Sequence, residues 1–161
     1  MLDEFMTCPL SASGYVAGET AAGIVRAMGA SVIIMIIGTL AGVHVNLLAP
    51  GLWLALVLNA WFFSGLAIMM AMLVKSHADQ ALLSNFVITP MAFLGGTFFP
   101  LERLPEWARH LLGVLPLPHA AGAMQAAAAG RPVAWSELGI LAIGAFAVFL
   151  GAVLSVSRAR S

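Results

Sequence analysis

Charged side chains are scarce in this sequence. Among 161 residues only 9% are Asp, Glu, Lys or Arg, whereas a soluble domain usually carries about 25%. Hydrophobic residues make up 61% and the mean hydropathy is +1.01, so most of the surface must face lipid. Seven basic and seven acidic residues balance to zero net charge. The sequence therefore lacks the basic patch that a nucleic-acid partner requires, and it indicates a lipid bilayer as its surroundings.

Cysteine is nearly missing, and no export signal is visible. Cys8 is the only cysteine, so no intrachain disulfide can form. The first residues include Asp3 and Glu4, where a signal peptide would carry lysine or arginine. We therefore expect membrane insertion to depend on the internal apolar segments.

Catalytic motifs are also lacking. No G-x-x-x-x-G-K-[ST] loop is present, and the only lysine, Lys75, has no glycine nearby. The sequence contains no H-E-x-x-H and no G-x-S-x-G, and His44 and His77 are expected on opposite membrane faces. We predict no catalytic residue, no metal and no cofactor, so the chain is not expected to be an enzyme. The predicted spans below lack carboxylates, which disfavours an ion-coupled pump and an intramembrane enzyme.

Long apolar segments dominate what is present. Residues 27–74 carry no charge, which is too long for one span, since a bilayer core needs about 20 helical residues. The Pro50–Gly51 pair and the polar residues before it mark a turn within this stretch. The sequence predicts an all-α, polytopic fold, a single membrane domain over 1–161 with about four transmembrane helices, at about 24–43, 52–74, 80–98 and 137–157.

The connection between the third and fourth spans has its own helical patterns. Leucines and Trp107 recur on one helical face, with Arg109 and other charges opposite and Pro105 suited to the first turn. After two prolines, an alanine-rich helix follows over 119–129, beginning at His119 and stopped by Gly130. We predict two short half-helices in the outer leaflet, the first an interfacial helix. The small face of the second, Gly122 and Ala126, suits close helix packing.

Basic residues predict the orientation. With four spans, both termini lie on one side of the membrane, and positive residues favour the cytoplasmic side. Four basic residues fall on the side of the termini and lie close to helix ends, whereas three fall within one long connection on the other side. The first set is Arg26, Lys75, Arg158 and Arg160, and the second is Arg103, Arg109 and Arg131. We expect both termini to be cytoplasmic.

A family resemblance is carried by residues 87–107, which read V-I-T-P-M-A-F-L-G-G-T-F-F-P-L-E-R-L-P-E-W. An apolar helix with a central proline, a glycine pair, then F-F-P and L-P-x-W, resembles the signature of ABC-2-type transporter permeases. The segments L-P-L-P-H at 115–119, G-R-P at 130–132 and T-C-P-L-S at 7–11 are also similar to that family. The likeness is strongest to its branch of nodulation lipo-oligosaccharide, drug and polysaccharide exporters, and it extends over essentially the whole chain.

Two departures from the family pattern stand out. Gln125 lies in the helix where the family usually has an arginine. Family members have six spans preceded by an interfacial helix, whereas this chain begins after the second span. We therefore expect it to correspond to the C-terminal portion of such a permease.

The resemblance implies an exporter component of the bacterial cytoplasmic (inner) membrane. It would move an amphipathic substrate, such as a lipid-linked saccharide, a polysaccharide or a drug. Its implied partners are a separate ABC ATPase subunit and a second permease half, as a homodimer. The alternative is a non-transporting remnant or a membrane assembly protein.

The resemblance also suggests roles for particular residues. Pro9, Leu10 and Ser11 would lie near the ATPase subunit, or form an ordinary turn. A hinge or gate, or else a static kink with close packing, is implied for Pro90, Gly95, Gly96 and Pro100. The outer interfacial region would contain Pro105, Trp107, Arg109 and His119.

Overall fold

The computed structural model describes residues 11–74 and 115–160, together with isolated positions 79, 81, 82, 85, 86 and 89. Within this part of the chain, the fold consists of four helices and no strand. They are α1 (Ala12–Leu40), α2 (Pro50–Leu73), α3 (Pro116–Ala128) and α4 (Trp135–Arg160). The all-α prediction is confirmed.

Three of these helices are long and apolar enough to cross a membrane. The spanning candidates are Ala12–Leu40, Pro50–Met72 and Trp135–Arg158. A polytopic membrane protein is therefore confirmed for the described residues. The predicted span at 80–98 and the predicted interfacial helix before residue 115 fall outside them, apart from the isolated positions.

Helix α1 is longer than the span predicted at 24–43. Ser11 caps its first turn, because the Ser11 hydroxyl accepts a hydrogen bond of 3.2 Å from the amide of Gly14. The helix then runs unbroken for 29 residues, about 43 Å at 1.5 Å per residue. The predicted span began after Glu19, but in the structure neither Glu19 nor Arg26 interrupts the helix.

Two helices end in the same type of glycine cap. After α1, Gly42 has a φ of 87°, and the amide of Val43 donates to the carbonyl of Gly38 at 2.9 Å. After α3, Gly130 has a φ of 70°, and the amide of Arg131 donates to the carbonyl of Ala126 at 2.8 Å. Both are Schellman motifs, in which a left-handed glycine satisfies the last carbonyls.

The relative directions of the helices follow from their contacts. Helix α1 is antiparallel to α2, since Gly23 lies against Ser64 while Val16 shares a buried cluster with Ile68. Helix α2 is parallel to α4. Moving along both chains, Phe62 lies beside Gly144 and then Met69 lies beside Gly151. The α2–α4 interface is the most extensive of the fold.

Helix α3 is a half-length helix packed beside the first halves of α2 and α4. Its Ala120 and Ala123 are fully buried against Ala55, Leu58 and Leu141. The end of α3 is tied to the α1–α2 connection, because the amide of Asn46 donates to the carbonyl of Ala128 at 3.0 Å. The alanine-rich helix predicted at 119–129 is thus present, and it packs within the bundle.

The outward faces of the long helices are apolar. On α1, Val25, Ile34 and Leu40 are 70%, 69% and 83% exposed. On α4, Ile143 and Leu154 are also well exposed. Side chains of this kind are stable only in contact with lipid or with another apolar surface, as expected for a bundle in a membrane.

Candidate functional site

A cleft opens between α1 and α2 at the end of the bundle where α1 begins and α2 ends. It has a volume of about 260 Å³. Four residues of α1 and five of α2 line it: Tyr15, Glu19, Gly23 and Arg26, then Ser64, Ala67, Ile68, Ala71 and Met72. The lining of α1 recurs every three or four residues, so it forms one stripe along the helix.

The position of the cleft is set by a close contact between small residues. Gly23 and Ser64 lie so close that a Cβ atom at position 23 would overlap the Ser64 hydroxyl. Small residues allow two membrane helices to approach in this way. The contact fixes the α1–α2 distance beside the polar lining.

The cleft gathers the charges of these two helices. Glu19 and Arg26 are the only charged residues of α1, and α2 has none. They are seven residues apart, which corresponds to about 10 Å along the helix axis. Both are exposed, and among the described residues neither forms an ion pair.

A wider cavity of about 460 Å³ lies at the opposite end of the bundle. It is lined by Thr39, residues 42–46 and residues 128–130, so it belongs to the two glycine-capped helix ends. The loop beside it is held by hydrogen bonds: the indole of Trp53 donates to the carbonyl of Leu47 at 2.8 Å. His44 lines this cavity, away from the first cleft.

Of the site residues predicted from the sequence, two lie in the described part of the chain. Ser11 is the exposed N-cap of α1, and His119 lies half-buried in the first turns of α3. The remaining predicted residues lie outside the described part and stay predictions: Pro9, Leu10, Pro90, Gly95, Gly96, Pro100, Pro105, Trp107 and Arg109.

The sequence analysis missed the α1–α2 cleft. It placed Glu19 before the first span and used Arg26 only to predict orientation. The available signal was spacing, because Tyr15, Glu19 and Arg26 fall on one face of a single helix. The contribution of α2 could not be predicted, since Ser64 becomes relevant only once Gly23 is known to lie against it.

Three buried polar atoms lack a hydrogen-bond partner within the described part. They are the hydroxyl of Thr20, the amide oxygen of Asn59 and the indole nitrogen of Trp61. Unsatisfied polar groups are costly in hydrocarbon. These three atoms in α1 and α2 therefore require hydrogen-bond partners. A search of the sequence for charged residues does not detect this requirement.

The fold and these polar features define a polytopic α-helical membrane protein, and comparison with known proteins identifies its family. Residues 1–128 match the ABC-2 type transporter family. Nodulation protein J of Rhizobium meliloti (strain 1021) is 31% identical over 121 residues, which cover 68% of this chain and 46% of that protein. Inner membrane transport permease YadH of Escherichia coli (strain K12) is 27% identical over 119 residues, 72% of this chain and 45% of that protein. No solved structure matches the chain.

The chain belongs to the ABC-2 type transporter family. This confirms the resemblance found in the sequence. Proteins of this family are transmembrane permease components that in general work with a separate ABC ATPase subunit. The match extends to the last residue of α3, whereas α4 lies beyond it. The chain spans about half the length of the curated relatives it matches.

Proposed function

We propose that this chain is a membrane-spanning permease component of an ATP-binding-cassette exporter in the bacterial cytoplasmic membrane. It moves an amphipathic substrate: a lipid-linked saccharide, a polysaccharide or a drug. The observation that carries this proposal is the family match over residues 1–128. The apolar helices α1, α2 and α4 support it, because they suit a subunit that builds a path through lipid.

The proposed energy source is ATP hydrolysis in a separate ATPase subunit. We assign the contact with that subunit to Pro9, Leu10 and Ser11. Ser11 is exposed and caps the start of α1, so a force applied there acts directly on a continuous helix. The other proposed partner is a second permease half, with two copies of this chain forming a homodimer.

The proposed moving parts lie between α2 and α4. Pro90, Gly95, Gly96 and Pro100 would form a hinge or gate, because proline removes a helical hydrogen bond and glycine permits bending. Pro105, Trp107, Arg109 and His119 would form the outer interfacial region.

Co-purification tests the proposal. The chain is co-expressed with a tagged ABC ATPase subunit encoded beside it, extracted in mild detergent and captured through the tag. We expect the two to purify together, and Leu10→Asp to reduce capture about tenfold, because it places a charge within an apolar contact. Leu48→Asp, in the α1–α2 loop, is the matched control and should leave capture unchanged.

The alternative function is a non-transporting remnant or a membrane assembly protein, which is compatible with matching only about half of each relative. It predicts no association with an ATPase subunit. A chain that is stable and active without any ATPase would contradict the exporter proposal.

A further inference from the structure

The α1–α2 cleft brings one acidic and one basic side chain together at one end of the bundle. Intramembrane ionisable side chains are costly and are usually paired. Arg26 and Glu19 line the same cleft, yet neither forms an ion pair with a described residue. A ligand that carries both a negative and a positive group would complement them.

The depth of the two charges gives the order of the groups in that ligand. Counted from Leu40 along the helix axis, Arg26 lies at about 21 Å and Glu19 at about 31 Å. The hydrocarbon core is about 30 Å thick. If one boundary of the hydrocarbon core is set at Leu40, Glu19 lies at the other boundary and Arg26 lies about 10 Å deeper. A long arginine side chain can extend from that depth toward the interface. The anionic group of the ligand must be the inner one and its cationic group the outer one.

The surface continues below Arg26 as an apolar stripe. Ala30, Ile33 and Ile37 follow Arg26 at helical spacing and are all exposed. A polar cleft near the interface thus leads directly to an apolar surface along the membrane interior. This arrangement matches an amphiphile, whose headgroup would enter the cleft while its chains lie along α1.

We propose that the cleft binds the headgroup of a phosphatidylethanolamine lipid. The phosphate is bound by Arg26, whose planar guanidinium forms paired hydrogen bonds with phosphate oxygens. The ammonium is bound by the Glu19 carboxylate, and the Ser64 hydroxyl supplies a further donor. In a phospholipid the phosphate is nearer the acyl chains than the ammonium, which is the order that the depths of Arg26 and Glu19 require.

Native mass spectrometry of the purified full chain tests the site. Delipidated protein is titrated with dioleoyl phosphatidylethanolamine, phosphatidylglycerol and phosphatidylcholine. We expect phosphatidylethanolamine to bind most tightly. Phosphatidylglycerol has no cation for Glu19, and the trimethylammonium of phosphatidylcholine has no N–H group to donate to it.

Two variants separate the roles of the charges. Arg26→Gln should weaken phosphatidylethanolamine binding about tenfold, the scale expected for a lost charged hydrogen bond. Glu19→Gln should remove the preference for phosphatidylethanolamine over phosphatidylglycerol. Arg131→Gln is the control, because it removes an exposed cation just after α3, at the opposite end of the bundle, and it should leave both affinities unchanged.

Several results would overturn the proposal. Arg26→Gln binding phosphatidylethanolamine as tightly as Arg131→Gln is one, and an unchanged lipid preference in Glu19→Gln is another. If Arg26→Gln fails to fold, Arg26→Lys replaces it. The site would then be contradicted if Arg26→Lys binds phosphatidylethanolamine with unchanged affinity and Glu19→Gln keeps its preference for that lipid over phosphatidylglycerol. Free phosphoethanolamine that competes as well as the intact lipid would assign the cleft to a soluble ligand instead.

Discussion

The contact between Gly23 and Ser64 is where a single side chain decides how closely two helices approach. Transmembrane helices associate mainly through packing, because lipid is as apolar as their side chains. A larger residue at position 23 would overlap Ser64 and separate α1 from α2. A substitution at Gly23 therefore tests the α1–α2 arrangement directly.

Gly23→Val should lower the free energy of unfolding by about 1–3 kcal/mol, the usual cost of overpacking. Gly29→Val is the matched control, because it makes the same substitution in the same helix where an added Cβ meets nothing within 4 Å. Thermal unfolding of both variants in detergent measures the difference. Equal midpoints would show that α1 and α2 do not meet at Gly23.

Gly130 tests the end of α3. Its φ of 70° is unfavourable for any residue with a Cβ atom. Gly130→Ala should therefore cost about 1–2 kcal/mol of stability. Gly139→Ala, at an ordinary helical φ with open space around it, should be neutral or slightly stabilising in the same thermal assay. A neutral Gly130→Ala would contradict the left-handed cap.

Helix α3 shows how much a sequence can specify at the level of one element. Its existence, its alanine-rich character and its stop at Gly130 could be predicted, since proline, alanine and glycine act locally. Its buried face could be predicted only in part. Gly122 does lie close to another helix, since an added Cβ there would be 3.3 Å from the Glu137 carboxylate, but the fully buried residues are Ala120 and Ala123. On a helix with small residues all round, only the neighbouring helices decide which face is buried.

The buried face of α3 yields a prediction for the element. Ala123→Leu inserts a large side chain between α3, α2 and α4, where Ala123 has no exposed surface. We expect a loss of about 1–3 kcal/mol in the free energy of unfolding. Ala129→Leu makes the same substitution at the exposed C-cap of α3 and should change little. If the two variants unfold at the same temperature in detergent, α3 is not inserted as described.

The boundaries of the helices could likewise be predicted only in part from the sequence. The starts of α1 and of the span at 24–43 differ because a span was predicted from hydrophobicity, whereas a helix continues as long as its backbone is hydrogen-bonded and capped. The Ser11 cap could be recognised from its sequence, S-x-x-G, only with knowledge that a helix follows. The position of Glu19, Arg26 and Ser64 in one cleft depends on tertiary packing and was not predictable.

The parallel course of α2 and α4 organises the whole molecule. Two parallel spans require the chain to return across the membrane between them. The crossing predicted at 80–98 would provide that return and stays a prediction. The start of α2 lies beside the segment leading into α4, since Gly51 lies against Val133. The three described spans could be predicted from hydrophobicity, whereas the α2–α4 pairing required the structure.

Cys8 offers a test of orientation, because it is the only cysteine. We expect a membrane-impermeant maleimide to leave Cys8 unlabelled in intact spheroplasts and to label it after lysis. The variant Cys8→Ser/Leu48→Cys moves the thiol to the α1–α2 loop, where Leu48 is 92% exposed, and should label without lysis. The opposite pattern would show that the termini are not cytoplasmic.

The length of α1 has a mechanical consequence. At about 43 Å it exceeds the hydrocarbon thickness of about 30 Å by more than the usual tilt of about 20° can absorb. Roughly two turns beside Ser11 must therefore stand clear of the bilayer while remaining part of the same rigid rod. A sideways force on those turns would tilt the entire helix about the point where it crosses the membrane. Its other end, at the exposed Leu40, would then move in the opposite direction.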